Sequence, residues 1–93
     1  MQKSLDAGLA TLSTLSTLSR LRIMIRDVLR VPESEEIDDR TLRELGAVSV
    51  QVIALQFSIL KATSVDLTMA ELVGDASVTE IAALIDVRRP ATS

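Results

Sequence analysis

Ninety-three residues, 47% of them apolar and 1% aromatic, make one small domain with an aliphatic core, too small to enclose a catalytic cleft of its own. Histidine and cysteine are both absent, which removes imidazole bases, thiol nucleophiles, the usual zinc ligands and disulfides; an intracellular protein with no catalytic chemistry of its own is expected. The net charge of −3, the lack of any basic cluster interleaved with aromatics, and the lack of an apolar run near the roughly 18 residues that cross a bilayer argue against nucleic acid and membrane as partners.

The first 19 residues carry Leu9, Leu12, Leu15 and Leu18 three residues apart, the last three of them in a Thr-Leu-Ser repeat. On a helix such positions drift by about 60° at each step and make no single stripe. Residues 1–18 therefore read as a low-complexity N-terminal extension or linker, the alternative being a leucine-bearing helix that docks on a neighbour. From Leu18 the spacing tightens. Leu18, Leu21, Ile25, Val28 and Leu29 share one helical face, with Arg20, Arg22, Arg26 and Asp27 outside it, and Pro32 stops the helix near Arg30. The arginines read as a solvated outer face rather than a partner-binding stripe.

Glu33 to Asp39 form an acidic loop in which Ile37 is the one residue expected to turn inward as an anchor. Three capping-box patterns follow: Thr41-x-x-Glu44, Thr68-x-x-Glu71 and Ser77-x-x-Glu80, each ahead of apolar residues at helical spacing. The first predicts a one-turn helix carrying Leu42 and Leu45 toward the core. Gly74-Asp75 separates a very short third helix from the fourth, and Arg88-Arg89-Pro90 ends the last, leaving residues 89–93 as a tail. The fold expected for residues 19–88 is all-α, a small four-helix bundle with a long loop between helices I and II and a short third helix. Leu21, Ile25, Val28, Val52, Leu55, Ile59, Ile81, Leu84 and Ile85 are its predicted core.

Gly46 stands where a chain often needs a positive φ before a new helix, and Ser49 opens a run without Gly or Pro that reaches about Thr63. A hydroxyl at a helix N-terminus has free N–H groups and a positive dipole end beside it, which favour a phosphate. The plainer reading is that Ser49 only caps the helix, as serines commonly do. On a helical wheel, Val52, Leu55 and Ile59 fall on one side and Val50, Ile53, Ala54, Phe57 and Leu60 on the other. A helix apolar nearly all round is either fully buried or committed to a partner on its second face.

Ile37-Asp38-Asp39, the run from Thr41 through Leu45-Gly46-Ala47-Val48-Ser49-Val50, and then Ile53 and Leu55 resemble the acyl and peptidyl carrier proteins, whose signature is Gly, aliphatic, Asp, Ser, aliphatic at the start of their second helix. The likeness runs from roughly Leu21 to Ile85. It implies a phosphopantetheine arm in phosphodiester linkage to Ser49, attached by a phosphopantetheinyl transferase. Acyl groups would then be held as thioesters for the acyl-loading and condensing enzymes of a parent synthase. It also implies a docking face of Val48, Val50, Ile53, Ala54, Phe57 and Leu60, and a cytoplasmic, non-catalytic role. Two departures stand out. The family's aspartate position is Val48, so attachment is expected to be slow or to need a tolerant transferase. No Asp or Glu lies between Val50 and Ser64, which suggests apolar recognition inside a multidomain polyketide or nonribosomal peptide synthase rather than reading by basic partners. The rival reading is an unmodified interaction module that keeps the carrier fold, with Val48-Ser49 an ordinary helix start.

Overall fold

A computed structural model describes residues 17–89. Among the described residues the regular structure is helical. The first helix, α1, covers residues 17–29. It is followed by α2 (Ser49–Thr63), α3 (Met69–Val73) and α4 (Val78–Arg88). The expected all-α bundle with a long first loop and a short third helix is the observed architecture. None of these helices is long and apolar enough to cross a membrane.

Local chemistry sets each boundary. At the end of α1, Arg30 takes a left-handed backbone (φ 61°), and the Val31 N–H reaches back 3.2 Å to the Arg26 carbonyl, with Pro32 following. This is a Schellman closure made without glycine. Two of the three predicted capping boxes start helices. The Thr68 Oγ1 accepts from the Glu71 N–H (3.1 Å) while Glu71 Oε1 accepts from the Thr68 N–H (2.9 Å), and Ser77 and Glu80 repeat the exchange at 3.2 and 2.8 Å. The Thr41–Glu44 box forms as well, at 3.1 and 2.9 Å, but opens only a turn. Its helix is cut short because Gly46 adopts φ 83° and the Ala47 N–H folds back to the Leu42 carbonyl at 3.0 Å.

Of the nine predicted core residues, Leu21, Ile25, Val52, Leu55, Ile59, Ile81 and Ile85 are buried, and Val28 and Leu84 pack half-buried against them. The cluster also takes in Ile37, Leu42, Val65, Leu67, Leu72, Val78 and Ala82. Fully burying each large aliphatic side chain contributes about 1.5–3 kcal/mol relative to exposure.

The long first loop is anchored rather than loose. Ile37 is fully buried, as its position in an acidic stretch suggested. Arg22 grips Asp38 with both ends of its guanidinium, Nε to Oδ1 at 2.8 Å and Nη2 to Oδ2, and Arg26 donates to the Glu35 carbonyl at 2.9 Å. Arg22 and Arg26 are therefore loop ties, not members of a solvated face; their reach of several bonds lets them cross from α1 to the loop. Beside Arg22 the Asp38 carboxyl is held below its ordinary range, and Arg22 is raised in turn. The loop then caps α4, because the Arg40 and Asp38 carbonyls accept from the Val78 and Thr79 N–H groups at 2.9 and 3.1 Å.

Two further ties close the bundle. Arg88 of α4 pairs with Glu71 of α3, which pulls the Glu71 carboxyl down to about 2, with help from the Thr68 N–H. Thr17, buried at the described start of α1, donates 2.7 Å to Asp86 and accepts from Arg89 at 3.1 Å. The expected N-terminal extension and C-terminal tail fall, for residues 1–16 and 90–93, outside the described residues.

Candidate functional site

The turn over residues 42–46 delivers the chain to α2. Leu42 is buried and Leu45 and Ala47 pack against the core, so the approach to the helix is fixed from below. No atom lies within 4 Å of a Cβ built on Gly46, so the glycine is required for its positive φ and not for space.

Val48, in extended conformation (φ −105°, ψ 165°), is the N-cap, and Ser49 is the first helical residue. The plainer reading of Ser49 as the cap is thereby removed. Its side chain is exposed and its hydroxyl has no hydrogen-bond partner among the described residues. Valine has no acceptor, so only half of a capping box exists here: Gln51 Oε1 accepts from the Val48 N–H at 3.0 Å, and no side chain returns the bond. The Gln51 and Val52 N–H groups bond to the Val48 carbonyl at 2.9 and 3.0 Å, while those of Ser49 and Val50 have no partner among the described residues. The first turn carries no acid. An exposed, unengaged hydroxyl thus sits beside two free donors at the positive end of a 15-residue helix, a setting that suits a phosphate ester.

The two faces of α2 separate as the wheel predicted. Val52, Leu55, Ile59 and Thr63 are buried; Val48, Val50, Ile53, Ala54, Phe57 and Leu60 are exposed. Phe57, the chain's single aromatic, is 61% exposed, which excludes it from the core. Val50, Ile53, Phe57 and Leu60 run as a stripe along the helix away from Ser49, with Val48 on its other side. The only charge on α2 is Lys61 in its last turn. The helix closes at Ser64, left-handed at φ 62°, whose N–H bonds to the Leu60 carbonyl at 2.8 Å.

No cluster of carboxylates able to hold a metal exists among the described residues. A groove of about 600 Å³ lies elsewhere, on α1 and the following loop, lined by Ser19, Arg22, Ile23, Arg26, Asp27 and Glu33. None of the predicted site residues borders it. Sequence reasoning missed Gln51. The signal was present, since Val48-x-x-Gln51 is the capping-box spacing with its first member replaced.

A family model described as "Phosphopantetheine attachment site" matches residues 19–85. No curated protein and no solved structure matches the chain.

Proposed function

The chain belongs to the phosphopantetheine attachment-site family, which carries that prosthetic group covalently, and from this premise we propose that Ser49 bears the arm of an acyl carrier domain. The observation that carries the assignment is an exposed Ser49 hydroxyl beside the N–H groups of Ser49 and Val50, none of the three with a partner among the described residues. A phosphodiester on Ser49 would form beside these donors. When bound, the arm supplies a thiol on which acyl groups are held as thioesters.

The protein's own contribution is presentation. Ser49 holds the arm at the tip of α2, and Val48, Val50, Ile53, Ala54, Phe57 and Leu60 offer an apolar face to the phosphopantetheinyl transferase and to acyl-loading and condensing enzymes. A face with no acid is suited to partners met at high effective concentration, as on one polypeptide or within one assembly, where electrostatic steering adds little. A cytoplasmic polyketide or nonribosomal peptide synthase fits this description, with the domain itself non-catalytic.

One observation favours a second reading. Val48 places neither charge nor hydrogen-bonding side chain next to Ser49, as an unmodified interaction module would tolerate. Intact mass after incubation with coenzyme A and a broad-specificity transferase separates the two. The carrier gains one arm and Ser49→Ala gains none; a wild-type mass that does not change selects the unmodified module.

A further inference from the structure

The geometry points to Gln51 as the residue that positions the Ser49 turn, a role that rests on the reading of Ser49 as the attachment point. Upstream, the chain is fixed at Ala47, whose N–H bonds to the Leu42 carbonyl at 3.0 Å and whose side chain packs on the core. Downstream it is fixed at Val52, which is buried. Between them Val48, Ser49 and Val50 are all exposed, and among the described residues Gln51 supplies the one side chain that hydrogen-bonds to them.

Gln51 makes two connections at once. Its Oε1 accepts from the Val48 N–H at 3.0 Å, and its Nε2 lies 3.5 Å from the Val28 carbonyl in the last turn of α1. That carbonyl is short of a donor for a reason written in the sequence. Its helical partner four residues on would be Pro32, which has no N–H. A glutamate, the residue at the equivalent position of α3 and α4, could accept from Val48 but could not donate to Val28. The amide therefore links the N-terminus of α2 to the C-terminus of α1, and holds the serine-bearing turn that Val48 cannot cap.

The test measures amide hydrogen exchange at Val48, with Ile59 in the buried part of α2 as the reference, in the full chain and in Gln51→Leu and Gln51→Glu. Gln51→Leu should speed exchange at Val48 by about threefold to tenfold, the size of one ordinary hydrogen bond, while Ile59 stays within about twofold. Gln51→Glu keeps the acceptor for Val48 but cannot donate to the Val28 carbonyl, so exchange at Val48 should fall between wild type and Gln51→Leu. The rate at which a phosphopantetheinyl transferase loads the arm from coenzyme A should fall in Gln51→Leu in step with Val48 exchange. Unchanged exchange at Val48 in Gln51→Leu, equal change at Ile59, Val48 exchange in Gln51→Glu as slow as in wild type or as fast as in Gln51→Leu, or loading indifferent to Gln51→Leu would overturn the assignment. Ser49→Ala, run in parallel, keeps the two claims apart: arm uptake by that variant rejects the attachment point while leaving the Val48 exchange result intact.

Discussion

Val48→Asp acts on the position where this chain departs from the carrier signature, and the structure fixes what it should do. Residue 48 is the N-cap, already in extended conformation, and its present side chain is 55% exposed and makes no capping bond. Replacing it removes little packing. An aspartate there can accept from the Val50 N–H or from the Gln51 N–H, and puts a negative charge at the positive end of α2. The gain should be about 0.5–2 kcal/mol in denaturant unfolding. For a domain of this size each kcal/mol corresponds to about 4–8 °C in Tm. The second effect is on loading. A carboxylate next to Ser49 is the feature that transferases meet in the resembled family, so under limiting transferase the variant should acquire phosphopantetheine faster than wild type. Val48→Asn separates capping from charge, because asparagine caps as well but carries no charge. Both variants should be more stable; only Val48→Asp should load faster. Equal loading rates for wild type and Val48→Asp would refute the idea that the missing carboxylate matters, and an unchanged Tm would refute the capping argument.

Leu55→Ala removes a fully buried side chain from the middle of α2 and should cost about 2–5 kcal/mol in urea unfolding, whereas a loss under about 0.5 kcal/mol would mean the buried face is misassigned. Phe57→Ser should leave Tm nearly unchanged, because the ring is exposed, and should lower turnover by partner enzymes; a drop in stability with unchanged turnover per folded molecule would remove Phe57 from the docking face. Stability should also depend on pH through Glu71 and Asp38, whose carboxyls are both lowered in the folded state by Arg88 and Arg22. Groups of lowered pKa bind protons more tightly when unfolded. Their contribution is therefore present above the ordinary carboxylate value of 4.5 for Glu71 and is lost as pH falls toward about 2. Unfolding measured from pH 6 downward should show a shallower decline in Glu71→Gln, and equal slopes would remove that pair from the explanation.

The bundle was legible because its signals were local and repeated. Capping boxes at Thr68 and Ser77, the proline after α1 and the apolar spacing of Leu21, Ile25 and Val28 all pointed to the same helices, and each holds. The Thr41 box failed as a helix start since a capping box satisfies donors without supplying residues to continue, and Gly46 turns the chain away after one turn. The two roles of α2 could be read from the wheel, because at the helical period Phe57 falls roughly opposite Val52, Leu55 and Ile59. Long-range partners were not legible. That Arg22 reaches Asp38, or that the Asp38 and Arg40 carbonyls cap α4, depends on how the loop crosses the bundle, and no spacing encodes that path. At the site itself, the sequence pointed to Ser49 but placed the cap one residue late. The identity of the N-cap depends on backbone dihedrals, and a Val-Ser pair offers serine as the obvious capping side chain.

The most direct test is where the arm sits on protein isolated from its native host. Trypsin should release residues 44–61, bounded by Arg43 and Lys61, a peptide that contains both Ser49 and Ser58. Fragmentation of that peptide in a mass spectrometer should place one phosphopantetheine on Ser49 and none on Ser58. An unmodified peptide, or an arm on Ser58, would contradict the account.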